Sequence, residues 1–340
     1  VSGSRRQGNS NLPLNLLLWL KRNNLMPRRS YITTLASYVV ANLCGCTPTL
    51  EVTDACALGA LNLQASGWDH AVISELNLDC LLWPEIAEPG VRAGEIRIGL
   101  RRLPVFASLG RHQCSQVGVF LEKEELSVNL SEWPCISQIA AVPEEGAFEV
   151  QPFFDGQFLR TSYNLPSCGI FRTLNNLLKA GEPERCRQNG SETRGHHQKT
   201  GGPLPVFENG FARSKRNFIG NGDHDATTNA FSGALLLDCL AGSFYGVISD
   251  EVASCARRLT PEGGWKQVVF SGKPVCPSAA FRQKLCDRLG REHTLAPSEE
   301  NSLLGLLVIC LAYTGLTHLV SDALATARTE FRTEEPASHF

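Results

Sequence analysis

The order of elements in the last third of the chain is what most limits how this sequence can fold. A long helix is expected at 230–259, followed by a Pro/Gly turn at 261–264 and by the apolar run 268–270. A β-branched and aromatic run between turn residues is typical of a buried strand. A further helix is expected at 279–289. Helix, turn, buried strand, glycine turn and helix in this order indicate an α/β architecture.

The rest of the chain supports the same mixed class. Helical spacing predicts helices at 14–20, 31–43, 71–76 and 174–180, with Gly45 ending the second. Short apolar runs separated by turns predict strands between 95 and 140, a turn at Pro89-Gly90, and a hairpin at 148–161 that turns at Asp155-Gly156. The polar stretches 182–199 and 209–229 are typical of exposed loops.

The apolar stretch 303–320 has two interpretations. Its 18 residues reach the lower limit for a membrane span. Thr314, Thr317 and His318 dilute its second half, and no basic cluster flanks it, which favours a buried helix. Ser298 is the expected N-cap, with Glu299 and Glu300 in the first turn.

Composition excludes several classes of protein. The chain has 340 residues, 43% of them hydrophobic and 19% charged, which suits a globular protein of two domains. A net charge of −2 gives no argument for a nucleic acid or an anionic membrane as partner. The 13 cysteines are irregularly spaced and include no CxxC, so reduced buried thiols in a cytoplasmic protein are expected, with a zinc site or disulfides as the alternative. No signal peptide is evident, and 1–12 is expected to be a disordered lead.

A polar turn is predicted at 107–114. It lies between the β-like runs 103–106 and 117–121, and small residues there are expected to present polar side chains at the mouth of a sheet. The side chains are those of Arg111, His112 and Gln113.

Six stretches share a family pattern: EVTDACALGALNLQASGWD (51–69), IAEPG (86–90) with 93–94, SLGRHQC (108–114), VNLS (128–131) with 137–139, PFFDG (152–156) and the block at 258–315. They resemble the FGGY carbohydrate kinases, and the last two point toward the sedoheptulokinase branch. The resemblance covers 31–325. It implies an actin-like fold of two ribonuclease-H-like domains, with ATP and a sugar meeting in the cleft between them. It also implies Mg²⁺-assisted transfer of the ATP γ-phosphate to a hydroxyl of sedoheptulose or another ketose or polyol.

The resemblance also implies a domain plan. After the lead at 1–12, residues 13–122 correspond to the C-terminal part of the sugar-binding domain and 123–326 to a complete nucleotide-binding domain, followed by a charged tail at 327–340. Nothing before Thr33 resembles the strand and glycine/threonine hairpin with which the family begins. A fragment or a shortened first domain is therefore expected, with an oligomer or partner covering it.

The catalytic position departs from the family pattern. Arg111 stands where the family has the Asp that accepts the sugar hydroxyl proton, and a guanidinium cannot accept a proton. His112 is the candidate substitute base, because imidazole titrates near neutrality. The resemblance makes Asp54 and Gln113 candidates for substrate binding.

The nucleotide side departs from the pattern as well. The resemblance makes Ser131, Ser137, Gly272 and Lys273 candidates for contacts with ATP. Glu132 would repel phosphate and Pro134 lacks an N–H donor, so the local sequence opposes tight ATP binding.

No metal site is predicted, because His196-His197 and 223–225 lack a second cluster at ligand spacing. The resulting expectation is a sugar kinase with impaired activity. The alternatives are a non-catalytic protein that binds a sugar or a nucleotide, and a protein anchored in a membrane by 303–320.

Overall fold

The computed structural model of the chain describes residues 13–27, 29–163, 165, 233–260, 263–272 and 279–333. Several expectations fall outside these ranges. They are the disordered lead at 1–12, the helix at 174–180, the polar stretches at 182–199 and 209–229, the nucleotide contact of Lys273, and the histidine and aspartate pairs at 196–197 and 223–225.

The described residues form alternating helices and strands. The α-helices are α1 (Pro13–Arg22), α2 (Leu35–Cys44), α3 (Val52–Ala55), α4 (His70–Glu75), α5 (Arg111–Gly118), α6 (Gly233–Leu259), α7 (Ala279–Leu289), α8 (Asn301–Tyr313) and α9 (Val320–Thr333). The β-strands are β1 (Thr49–Glu51), β2 (Leu61–Asn62), β3 (Gly67–Trp68), β4 (Glu85–Ala87), β5 (Arg92–Ile98), β6 (Arg101–Phe106), β7 (Glu125–Asn129), β8 (Cys135–Ala140), β9 (Glu149–Pro152), β10 (Phe158–Ser162), β11 (Gln267–Ser271) and β12 (His293–Leu295). Two compact units result, one from the described residues of 1–123, 139–160 and 300–340 and the other from those of 124–138 and 161–299.

The first unit has its core around β1 and the helix that follows it. β1 pairs in parallel with β4, and Leu50 also forms a parallel bridge with Ser108. Leu50 and Leu58 are 0% and 1% exposed and belong to a cluster of buried aliphatic side chains that includes Ile73 and Leu78. Removing such side chains from water is the main stabilising contribution to a unit of this kind.

Helix α2 ends where its sequence predicts, but it begins at Leu35 and not at Tyr31, which forms a parallel bridge with Leu82. The hydroxyl of Thr34 accepts the N–H of Ser37 and caps the start. Gly45 takes the left-handed conformation, φ 65°, which glycine adopts at no steric cost, and its N–H donates to the carbonyl of Ala41. The prediction of Gly45 as the end of this helix is confirmed.

The prediction of a turn between two strands at 107–121 is wrong in its second half. β5 and β6 form an antiparallel hairpin, but the chain from Arg111 forms the helix α5, and 117–121 is the end of that helix and a turn. The apolar residues at 117–121 are buried in either conformation, so their pattern could not distinguish a strand from a short buried helix.

The apolar stretch 303–320 is not one helix. α8 ends at Tyr313, Gly315 has φ 82°, and α9 begins at Val320. The N-cap of α8 is Glu300, without a side-chain capping bond, so Ser298 is not the cap. Among the residues that the structure describes, no helix has the length and hydrophobicity that a transmembrane span requires.

The hairpin predicted around Asp155-Gly156 is present between β9 and β10. Asp155 and Gly156 have φ values of 56° and 69°. The carboxylate of Asp155 accepts the N–H groups of Val320 at 3.1 Å and Ser321 at 2.8 Å. It thus caps α9 from a position 165 residues earlier in the sequence.

The chain also contains a six-stranded mixed sheet in the order β12-β11-β7-β8-β10-β9. β11 is parallel to both of its neighbours, and β7 is antiparallel to β8. Val268, Val269 and Phe270 are at most 2% exposed, which confirms the predicted buried strand. α6 and α7 confirm the expected helices on either side of β11 in the sequence.

Candidate functional site

Arg111 lies in the first turn of α5. Gly110 is the N-cap, Arg111 is exposed, and this turn contains no acidic residue. The unpaired N–H groups at a helix start carry partial positive charge, to which the guanidinium adds. This end of α5 can therefore attract an anion, but Arg111 cannot accept a proton.

Gly110 is held in place through Thr53. The Gly110 N–H donates to Thr53 Oγ1 at 3.0 Å, and that hydroxyl donates to Glu51 Oε2. Glu51 Oε2 also accepts the N–H of Thr53 at 2.8 Å. Glu51 is 2% exposed, and burial raises the pKa of its carboxyl, although the hydrogen bonds from Thr53 act in the opposite direction. Glu51 therefore fixes the start of α5 from the interior.

Asp54 makes a second link to the same segment. Its Oδ2 accepts the hydroxyl of Thr34 at 2.7 Å and that of Ser108 at 2.5 Å. Asp54 is 6% exposed, and burial raises the pKa of its carboxyl more than the two hydroxyl groups lower it. Asp54 thus joins the N-cap of α2 to the residue two positions before Gly110.

Gln113 is buried on the inner side of α5. Its Nε2 donates to the carbonyl of Pro152 at 3.3 Å and lies 3.4 Å from Gln151 Oε1 and 3.6 Å from Cys56 Sγ. Because Gln113 is only 2% exposed, these internal contacts account for its position. Asp54, Arg111 and Gln113 are thus brought together around one helix start, but only Arg111 is exposed.

His112 is partly buried within this arrangement. Burial lowers the pKa of its imidazole to about 4. The ring is therefore neutral at physiological pH and does not titrate near neutrality as the sequence suggested. So weak a base is poorly suited to removing a proton from a sugar hydroxyl.

The candidates for nucleotide contacts are divided between the surface and the interior of the second unit. Ser137 is 0% exposed within β8, and its hydroxyl lies 3.0 Å from that of Thr161. Ser131 is partly buried just after β7, where its N–H donates to Asn129 Oδ1 at 2.9 Å. Ser131 is therefore more accessible to a ligand than Ser137.

Gly272 follows β11 with φ 98°. A Cβ atom there would lie 2.8–2.9 Å from the backbone of Leu130 and Ser131, so only glycine fits. The hydroxyl of Ser271 is buried and, within the described residues, has no hydrogen-bond partner. Ligands bind beyond the carboxyl ends of parallel strands, and these two residues end such a strand. Ser271 and Gly272 fit part of a phosphate site, whereas Glu132, which follows Ser131 in the sequence, would oppose it.

The sequence indicated Asp54 but not the residues that position it. Glu51, Thr53 and Ser108 lie within the segments that resemble the kinase family, but no role was assigned to them, and Thr34 lies in no motif. Glu51 ends the buried strand β1, and a carboxylate at such a position is a signal for a buried ionisable group. For the described residues, no three His, Cys, Asp or Glu side chains lie close enough together to hold a metal ion.

Comparison with known proteins gives two kinds of relative. No family model matches the chain. Sedoheptulokinase of Mus musculus is 27% identical over 177 residues, which cover 48% of this chain and 37% of that protein. Sedoheptulokinase of Homo sapiens is 26% identical over the same shares. The chain thus spans little more than a third of the length of the curated relatives it matches.

Solved structures resemble nearly the whole chain. Gluconate kinase from Lactobacillus acidophilus has a TM-score of 0.69 at 16% identity, covering 95% of this chain and 71% of its own. Ligand-bound xylulose kinase from the same organism has a TM-score of 0.66 at 16% identity, with the same coverage. Glycerol kinase of Plasmodium falciparum, solved with ADP, has a TM-score of 0.64 at 16% identity, covering 93% of this chain and 65% of its own. The predicted actin-like α/β fold is confirmed.

Proposed function

We propose that this chain, which is an FGGY-type, sedoheptulokinase-like protein, transfers phosphate to a sugar very slowly or not at all. It keeps the architecture of a sugar kinase. The parent reaction is ATP-dependent phosphorylation of a hydroxyl of sedoheptulose or another ketose or polyol. The domain plan belongs to the same proposal, with 13–122 as part of the sugar-binding domain and 123–326 as the nucleotide-binding domain.

The observation that supports reduced activity is Arg111 in the first turn of α5. Its guanidinium stays protonated at any relevant pH and cannot remove the hydroxyl proton. The carboxyl groups that position this helix do not replace the missing base. Glu51 and Asp54 are at most 6% exposed, and each already accepts two hydrogen bonds from protein groups.

A coupled assay of ATP turnover with a panel of ketoses and polyols tests this proposal. For the unaltered chain we expect no turnover above the rate without sugar. Arg111→Asp restores a carboxylate at the helix start, where negative charge is favoured, and should raise the sugar-dependent rate. Because general base catalysis typically contributes 10²–10⁴-fold, we expect a gain on the order of a hundredfold or more.

The matched control is Arg257→Asp, which changes an exposed arginine near the end of α6. It should leave the turnover of ATP unchanged. Clear sugar-dependent turnover by the unaltered chain, abolished in Arg111→Ala, would contradict the proposal.

A second candidate function is binding of a sugar or a nucleotide without turnover. The buried hydroxyl of Ser271 beside Gly272 favours it, because this hydroxyl has no hydrogen-bond partner in the described part of the chain and a ligand at the end of β11 would supply one. Ligands that bind only the folded state raise the melting temperature, so a thermal-shift series with ATP, ADP and the sugar panel measures this directly. If none of them shifts the transition at millimolar concentration, the binding function is rejected.

A further inference from the structure

The hairpin formed by β5 and β6 has an apolar tip. The strands are joined by Gly99, with φ 60°, and Leu100. Leu100 is 94% exposed and Ile98 is 60% exposed. Arg97 Nε donates to the carbonyl of Gly99 at 3.0 Å, which orders the tip. Leu100 and Ile98 together give the ordered tip an apolar surface, and burial of that surface in an apolar environment would be favourable.

Positive charge surrounds this tip. Residues 95–102 contain three arginines and one glutamate, a local charge of +2, whereas the whole chain carries −2. The three arginines, Arg97, Arg101 and Arg102, are all exposed, and Arg92 lies at the other end of the hairpin, opposite Phe106.

Two of these cations directly face each other. Arg97 pairs with Arg102 in the register of the hairpin, and like charges at opposed positions repel. Glu95 lies 4.0 Å from Arg102, which offsets only part of that repulsion. An anionic surface would relieve the rest.

We infer that this hairpin docks on an anionic phospholipid bilayer. Leu100 and Ile98 enter the interface between headgroups and acyl chains, and the arginines meet the lipid phosphates. Peripheral membrane binding depends on buried apolar area and on charge. The hairpin offers both, because its tip is apolar and its neighbouring residues are arginines. No helix needs to cross the bilayer for this contact.

Other anionic partners match the tip less well. A nucleic acid would satisfy the arginines but offers no place for Leu100, and 97–102 contains no aromatic side chain on which a base could stack. An acidic protein would need a pocket shaped to the convex tip. A fluid bilayer accepts a protruding apolar side chain without a preformed pocket.

Flotation with lipid vesicles tests this inference. The full chain is mixed with vesicles of phosphatidylcholine alone or with a quarter of phosphatidylserine, at 50 and 300 mM NaCl. Since each basic residue near such a surface contributes about a factor of five, two net charges should favour the anionic vesicles on the order of twentyfold at low salt. High salt should remove most of that preference.

Variants separate the two components. The double change Arg101→Gln and Arg102→Gln should abolish most of the preference for phosphatidylserine. Leu100→Ser should weaken binding to anionic vesicles roughly tenfold. Arg257→Gln and Leu316→Ser are the controls, since both change exposed residues outside 92–106 in the sequence and should bind like the unaltered chain.

A further variant gains a fluorescence signal on binding, so that its result cannot be explained by misfolding of the chain. Leu100→Trp keeps an apolar tip, and its fluorescence should shift to the blue with anionic vesicles beyond any shift of the unaltered chain. Equal binding to both vesicle types, binding unchanged in the hairpin variants, or no shift for Leu100→Trp would overturn the inference. So would retention of the hairpin by poly-glutamate or RNA with none by vesicles, which would assign it to an acidic protein or a nucleic acid.

Discussion

Asp54 is a carboxyl group that the fold stabilises in its protonated form. Burial raises its pKa above the ordinary 3.8, so ionisation is less favourable in the folded than in the unfolded chain. The stabilising contribution of this group is fully present below the unfolded pKa and is lost as the pH rises through the folded pKa. Asp54→Asn keeps an oxygen that accepts the hydroxyl groups of Thr34 and Ser108 but removes the ionisation. We therefore expect the variant to match or exceed the unaltered chain in free energy of unfolding at pH 7, and to lose that advantage toward pH 4.

Urea denaturation at pH 4, 5.5 and 7 measures this difference. Asp287→Asn, at an exposed position of α7, is the matched control and should show no comparable trend with pH. A constant difference between Asp54→Asn and the unaltered chain across this range would mean that the Asp54 carboxyl ionises without penalty.

Gly110 shows how far the sequence could predict a single residue. A glycine in a small-residue stretch suggests a positive φ, but Gly110 has φ −66°. It is glycine for lack of space, because a Cβ atom would lie 2.5 Å from the carbonyl oxygen of Thr53 and would overlap the side-chain oxygen of Gln113. Both neighbours come from contacts that depend on the tertiary fold. The sequence therefore identified the segment but not the reason for its glycine.

The crossing of α5 and α8 brings two helix backbones into contact. A Cβ atom on Gly118 would overlap the carbonyl of Asn301, and one on Gly305 would overlap the carbonyl of Cys114. Neither carbonyl can rotate away as a side chain can. We expect Gly118→Ala and Gly305→Ala each to lower the free energy of unfolding by roughly 1–3 kcal/mol or more, as overpacking does.

Gly246→Ala is the control for this pair, and its expected effect has the opposite sign. Gly246 lies inside α6, where, within the residues that the structure describes, an added Cβ would meet the end of the Lys284 side chain at 3.6 Å and no other group within 4 Å. Alanine should stabilise this helix by up to about 1 kcal/mol. Equilibrium urea unfolding of the three variants gives the comparison, and similar values for all three would disprove the close crossing.

The capping of α9 by Asp155 gives a second prediction for an element. Asp155→Ala removes the acceptor for the N–H groups of Val320 and Ser321 and should cost about 1 kcal/mol. Because Asp155 has φ 56°, alanine adds backbone strain, whereas asparagine tolerates this conformation and keeps one acceptor oxygen. Asp155→Asn should therefore retain most of the stability in thermal unfolding. An equal loss in both variants would argue against the cap.

Elements with local signals were predicted well, and those that depend on distant contacts were not. Gly45 ends α2 by its own chemistry, and the composition of 268–270 is that of a buried strand. The cap at Thr34 was not recognised, so the start of α2 was predicted four residues too early. The end of α8 at Tyr313 carries a weaker signal, since the apolar residues continue to Val320 and only Gly315 interrupts them. α5 was missed because its apolar side chains face neighbours that the sequence does not identify.

For the whole molecule, the order of elements and the composition predicted the class of fold, but they did not predict which charged and apolar side chains are exposed on the surface. The α/β order and the resemblance to FGGY kinases led to the correct architecture. A net charge of −2 gave no reason to expect a cationic hairpin, because the sum over the chain hides a local excess of arginine. The sequence also could not predict whether the apolar side chains of a helix are buried, because burial depends on which elements pack against each face of the helix.

Helix α2 carries the last prediction, because one of its faces is both apolar and exposed. Leu35, Tyr38, Val39 and Leu43 are 45–79% exposed and lie on one side of the helix at spacings of three and four residues. Ser37 and Ala41 are buried on the other side. An apolar stripe of this kind promotes association of the chain and binds apolar dyes. The change of both Leu35 and Leu43 to Gln should therefore lower the fluorescence of bound anilinonaphthalene sulfonate and slow aggregation.

The free energy of unfolding separates this effect from a change in folding. Glutamine has a helix propensity close to that of leucine, and exposed substitutions usually alter stability by no more than about 0.5 kcal/mol. The double variant should thus unfold like the unaltered chain in urea while light scattering at rising protein concentration falls. Leu316→Gln, at an exposed leucine in the turn after α8, should change neither dye binding nor scattering appreciably. If it lowers both as much as the α2 variant does, association depends on the total exposed apolar area and not on the α2 face.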